Sequence, residues 1–188
     1  MPLNLPNLVT LLRILLIPLI VGVFYLPDAW LSVEGKNIAA TGIFIFAAIT
    51  DWLDGYLARK LNQMSAFGAF FDPVADKLVV VGALIVLLHL NRVDMVVALI
   101  IIGREIAISA LREWMAQLGQ AKSVAVAFIG KLKTVLQMVA IPLLLYEDPL
   151  FGLVDCHALG TVLIYVAAVL TVVSMLYYLR KALPLMRG

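Results

Sequence analysis

The chain has 188 residues, of which 64% are apolar and 14% charged, and its formal net charge is +2. Soluble domains run near ~45–50% apolar and ~25% charged, so this composition excludes an ordinary water-soluble core and points to the bilayer as solvent. The small net charge gives no reason to expect nucleic acid as a partner, and the single cysteine, Cys156, excludes an intrachain disulfide and reads as a packing residue.

A membrane helix needs about 20 predominantly apolar residues. Six stretches meet that pattern, at about 8–26, 38–57, 74–90, 93–115, 124–146 and 159–179. They suit one all-α transmembrane domain covering 1–188. Met1–Asn7 contains two prolines, which reads as a short interfacial lead-in with Asn7 as helix N-cap. No Lys or Arg precedes Arg13 and no small-residue cleavage site follows the first apolar run, so this segment is not expected to be a removable signal peptide. Tyr25, Trp30, Tyr146, Tyr177 and Tyr178 stand near span ends and read as interfacial anchors. His89 and His157 read as polar end-caps. Pro73 suits a first helical turn, which predicts Asp72 as the N-cap of the third span and Asp76 one turn inside.

Loop charges orient the bundle. Arg59 and Lys60, Arg112 and Lys122, and Arg180, Lys181 and Arg187 fall on one side. The other side has only Lys36 and Arg92 against Asp28, Glu34, Asp94, Glu147, Asp148 and Asp155. Positive loops favour the cytoplasm, so both termini are expected there.

Four aspartates interrupt the apolar pattern on that same side: Asp51 and Asp54 at i, i+3, and Asp72 and Asp76 at i, i+4. Either spacing puts a pair on one helix face. The connection between the second and third spans lets the two pairs converge. A carboxylate at membrane depth costs roughly 2.5–3.5 kcal/mol, so four together call for cations. All-oxygen ligands suit Mg²⁺ or Mn²⁺, and four carboxylates can hold two ions. No His or Cys lies in the stretch, which argues against zinc. A metal pair of that kind serves phosphoryl transfer. Arg59 has the donors to grip a diphosphate, while Gly55, Ala58 and Gly68 leave room for a flat nucleotide beside the backbone. Taken singly, such acids are solvated helix ends and such small residues are helix-packing contacts. Neither account explains the whole interleaved set.

The run Asp51-Trp-Leu-Asp54-Gly55-Tyr-Leu-Ala58-Arg59, followed by Gly68-Ala-Phe-Phe-Asp72-Pro-Val-Ala-Asp76, resembles the signature of the CDP-alcohol phosphotransferase family at every position. The likeness extends to Asn7–Arg13, Gly103–Glu105, Arg112–Met115 and Gly130–Met138, which resemble the branch that uses glycerol 3-phosphate. The resemblance implies six transmembrane helices around a polar cavity open to the cytoplasm, in the bacterial cytoplasmic (inner) membrane, paired as a homodimer. It implies CDP-diacylglycerol as donor, sn-glycerol 3-phosphate as acceptor, and phosphatidylglycerophosphate and CMP as products. It also implies that Asp51, Asp54, Asp72 and Asp76 surround two divalent ions, that Asp54, Gly55, Ala58, Arg59 and Gly68 line the CDP site, and that Asp76 is the general base. A carboxylate is a weak base at neutral pH, so charge neutralisation is expected to contribute more than proton abstraction.

Arg104 and Glu105 lie well inside the fourth span, where ionisable groups are functional candidates. With Arg112, Lys131 and Lys133 the cations are expected to hold the acceptor phosphate, and Thr10 and Arg13 to reach the same pocket. Glu105 and Arg112, seven apart, share a face, so Glu105 is expected to orient Arg112. The competing account is a structural Arg–Glu pair with lysines snorkelling to headgroups. Within the family, inositol phosphate, serine or phosphatidylglycerol is the alternative acceptor. Outside it, a cation transporter would need a polar path onward, and the third span is apolar from Leu78 to Leu88.

Overall fold

The computed structural model describes residues 5–60, 66–119, 128–150 and 152–186. Six helices run through them: α1 (Leu5–Val23), α2 (Val33–Lys60), α3 (Ala66–His89), α4 (Met95–Gln117), α5 (Phe128–Tyr146) and α6 (Cys156–Met186). No strand forms among the described residues; one isolated bridge joins Leu150 to Val154.

The even-numbered helices all begin at one end of the bundle, each on a side-chain cap. Ser32 Oγ accepts from Gly35 N at 3.2 Å, Asp94 Oδ1 from Val96 N at 2.7 Å, and Asp155 Oδ1 from Ala158 N at 2.9 Å. Each cap satisfies a backbone donor that a helix start leaves without partner. Asn91, at φ 57°, turns the chain between α3 and α4, and Gly119, at φ 71°, follows α4.

The helices pack as an alternating bundle in which α1 lies on α2 and α3, α5 on α6, and α4 on α6. The main core joins Leu16 and Ile20 of α1 to Phe44, Leu84, Ile101 and Ile141 of the next four helices. Small residues set the closest approaches. A Cβ on Gly82 would stand 2.8 Å from Ile17 Cγ2, and one on Gly160 would stand 2.8 Å from Leu144 Cγ. Where lipid removes the hydrophobic drive between helices, close backbone approach of this kind supplies dispersion contact instead. A second cluster, Ile108, Leu111 and Met115 with Tyr178 and Ala182, joins the far halves of α4 and α6.

Three stretches among the described residues are long and apolar enough to cross a membrane: Val33–Asp51, Ile129–Tyr146 and Cys156–Leu183. Asn7–Val23 is a shorter apolar helix. α3 and α4 are of similar length but carry Asp72, Asp76 and Lys77, and Arg104, Glu105, Arg112 and Glu113.

Several expectations need correction. α3 begins at Ala66, so Asp72 is no N-cap and Pro73 lies inside the helix. One lost backbone donor is tolerated there because α3 already packs along α1 at this level, with Thr10 on Asp72. α1 starts at Leu5 with Pro6 in its first turn, which places Asn7 inside the helix with its side chain buried. α2 and α6 run past both ends of their apolar stretches, because charged residues such as Lys60 and Arg180 continue a helix well in water. Tyr178 is fully buried beneath the second cluster and is no interfacial anchor, whereas its neighbour Tyr177 is exposed. Lys122, assigned to a loop, lies outside the described residues.

Candidate active site

At the end of the bundle opposite those caps, α1 presents Thr10 and Arg13 one turn apart. Thr10 Oγ1 donates to Asp72 Oδ1 at 2.6 Å. Arg13 Nη1 donates to Asp51 Oδ1 at 2.9 Å and also to Asp76 Oδ1. One buried guanidinium therefore draws acids from α2 and α3 onto a single nitrogen. Arg13 is 1% exposed, while the side chains of Asp51 and Asp76 are 48% and 44% exposed, so solvent reaches the acids and not the arginine.

Asp54, Gly55, Ala58 and Arg59 form the last turns of α2, but their side chains lie outside the described residues. Gly68 is buried in the first turn of α3. Among the described residues no three acids gather as a complete metal-ligand set. The donor chemistry nevertheless fits a divalent cation. Asp51 and Asp76 already meet around one positive group, both offer carboxylate oxygens, and their side chains are about half exposed.

A second charged wall faces this one. Glu105 Oε1 accepts from Arg104 Nη1 at 2.8 Å and from Lys133 Nζ of α5. Arg104 Nη2 also reaches Ser174 Oγ of α6 at 3.5 Å. Glu105 thus serves Arg104 and Lys133, and the expected pairing with Arg112 does not form. The Arg112 guanidinium lies over the Tyr178 ring instead, 5.4 Å from its centroid, and has no carboxylate partner among the described residues.

Both walls line one cavity of about 380 Å³, bounded by Arg13, Asp51 and Asp76 on one side and by Arg104, Arg112, Lys131 and Lys133 on the other. Five of the six expected acceptor-site residues therefore share it. Thr10, the sixth, turns to Asp72, and Arg13 spends its donors on the acids rather than among the other cations. Four cations on α4 and α5 face Glu105 as their only carboxylate among the described lining residues of those helices, which leaves that wall strongly positive. An apolar groove of about 340 Å³ between α2 and α5, lined by Phe44, Ile45, Ile49 and Pro142, shares Ala48 and Met138 with the cavity.

The cavity also includes residues to which sequence reasoning gave no site role. Lys77 stands beside Asp76, and Thr134 and Gln137 line the α5 wall. Charge patterning could have found Lys77. A glutamine in an apolar span is a weaker signal, but polar residues at membrane depth are functional candidates for the same reason.

Comparison with known proteins agrees with this geometry. A profile of the CDP-alcohol phosphatidyltransferase family matches residues 3–173. The chain is 50% identical over 184 residues to proteins named CDP-diacylglycerol–glycerol-3-phosphate 3-phosphatidyltransferase from Escherichia coli (strain K12), Shigella flexneri and Salmonella choleraesuis (strain SC-B67). The similarity covers 97% of this chain and 96% of each relative.

Proposed function

We propose that this chain, which belongs to the CDP-alcohol phosphatidyltransferase family, moves the phosphatidyl group of CDP-diacylglycerol onto a hydroxyl of sn-glycerol 3-phosphate, giving phosphatidylglycerophosphate and CMP. One observation carries this reading: a single cavity has Asp51 and Asp76 gathered around Arg13 on its α1–α3 side, a cationic wall on α4–α5 and an apolar groove adjoining it. A donor that is half nucleotide and half lipid needs the first and the last. An anionic acceptor needs the second.

Asp51, Asp54, Asp72 and Asp76 hold two divalent ions, Mg²⁺ or Mn²⁺, which when bound neutralise the phosphate oxygens of the donor. Arg59 holds the diphosphate, and Asp54, Gly55, Ala58 and Gly68 leave room for the cytidine. The diacylglycerol chains leave along the α2–α5 groove. Arg104, Arg112, Lys131 and Lys133 bind the acceptor phosphate, with Arg112 first because no carboxylate among the described residues pairs with it. Asp76 takes the proton of the acceptor hydroxyl as its oxygen bonds to the phosphorus that carries diacylglycerol. The bond from that phosphorus to CMP breaks, and CMP leaves.

All six helices cross the membrane, with both termini and the cavity mouth on the cytoplasmic side of a bacterial inner membrane, and the protein works as a homodimer. The positive helix ends that carry Arg59 and Arg180 support the orientation. The strongly positive acceptor wall favours a phosphorylated acceptor over serine, and leaves inositol phosphate as the second reading.

The test is CMP release by purified protein with CDP-diacylglycerol and a panel of acceptors, with and without Mg²⁺ or Mn²⁺. Turnover with glycerol 3-phosphate that needs the cation is expected. Release only with inositol phosphate, serine or phosphatidylglycerol would reassign the acceptor.

A further inference from the structure

Gln137 is 4% exposed, yet its amide makes no hydrogen bond to any described residue. It lines the cavity on α5, one helical turn beyond Lys133. Its amide atoms are not among the fully buried polar atoms that lack a partner, so they meet the open space of the cavity, where a ligand group or water can bond them. The other uncharged and acidic groups of that wall already have partners. Glu105 accepts from Arg104 and Lys133, and Thr134 Oγ1 donates to Gly130 O at 3.0 Å. Gln137 is thus the uncharged reading group on that wall with both its donors and its acceptor open.

We infer that Gln137 recognises the middle, non-reacting hydroxyl of the acceptor. This rests on the glycerol 3-phosphate reading above and deepens it. With the acceptor phosphate on Arg104, Arg112 and Lys133 and its terminal hydroxyl at Asp76, the three-carbon chain crosses the cavity between α5 and α3. Its central carbon then passes the stretch of wall that carries Gln137. The carboxamide accepts from and donates to that hydroxyl, and the pairing satisfies both partners. A site built to bond a hydroxyl discriminates against an acceptor lacking it, because its own buried group is then left unpaired.

The experiment compares glycerol 3-phosphate with 3-hydroxypropyl phosphate, which lacks only the middle hydroxyl. The unmodified protein is expected to favour glycerol 3-phosphate by about tenfold or more in kcat/KM. In Gln137→Met, close in shape and without the amide, that ratio is expected to fall towards one, mainly through a higher KM for glycerol 3-phosphate. Equal use of the two acceptors by the unmodified protein would overturn the inference, even if the variant fails to fold. So would an unchanged ratio in a folded Gln137→Met. Failure of the parent reading looks different: the unmodified protein would then turn over neither acceptor while releasing CMP with another.

Discussion

A buried arginine ties helices together at each end of this bundle, and the two are built differently. At the capped end Arg92 donates to Leu144 O at 3.2 Å, Leu145 O at 2.8 Å and Asn37 Oδ1 at 2.9 Å, and pairs with Glu147. Its partners are chiefly helix-end carbonyls and a buried amide, which have no other use for a cation. Burial holds its guanidinium below the ordinary arginine value, with Glu147 and Asp148 pulling the other way. At the cavity end Arg13 is as deeply buried, but it holds two acids that solvent reaches. The first arrangement closes the ends of α2 and α5 against the α3–α4 turn. The second assembles acids from two helices and leaves their outer faces available. Burial of the cation does not separate a brace from a site, and neither does the exposure of the carboxylates, since Glu147 is 39% exposed. What separates them is that Arg92 is also held by carbonyls and an amide, whereas Arg13 bonds to acids from two helices.

Exchanging residues between these roles tests the contrast. The largest effect is expected from Asp76→Asn, which should lower kcat by about 10²–10⁴-fold while CDP-diacylglycerol binding persists. Equal loss of turnover and binding would make Asp76 chiefly a ligand for the cations. Arg92→Ala should cost about 3 kcal/mol, seen as a lower thermal midpoint in detergent, while the surviving folded fraction keeps its KM values. Arg13→Ala should reverse that pattern: its acids can rehydrate, so stability falls less than for Arg92→Ala while turnover and the cation concentration needed for it change more. If the two variants behave alike, the distinction between brace and site fails. Arg112→Ala should raise the KM for glycerol 3-phosphate about tenfold without moving that for CDP-diacylglycerol, as expected for a charge-assisted contact. A higher KM for the lipid alone would move Arg112 to the donor side. Smallest, Gly82→Ala should cost about 1 kcal/mol in thermal stability with kinetics unchanged, because its methyl would stand 2.8 Å from Ile17 Cγ2.

Much of the site was legible beforehand because charge is scarce in an apolar chain. Asp51, Asp76, Arg104, Arg112, Lys131 and Lys133 stand out by type alone, and all line one cavity. Helix period and span length likewise anticipated six helices in nearly the right places. Pairing was harder to read. Glu105 has Arg104, Arg112 and Lys133 within reach of its helix face, and only the approach of α5 decides that Lys133 takes it. Thr10 and Arg13 looked like further cations and hydroxyls for the acceptor, because nothing local says that α1 lies across both acidic helices. The role of Arg92 was hidden for the same reason: its partners are backbone carbonyls, which leave no mark in sequence. Helix ends were misread wherever proline was taken as a boundary, since tertiary packing carries α3 through Pro73.

The reach of Arg13 across α2 and α3 also bears on biogenesis. An arginine passing alone into hydrocarbon costs roughly 2.5–3.5 kcal/mol, and its countercharges belong to the two segments synthesised next. The first three helices should therefore leave the translocon together, Asp51 neutralising Arg13 first and Asp76 joining with α3, so that the cavity's acids serve first as escorts.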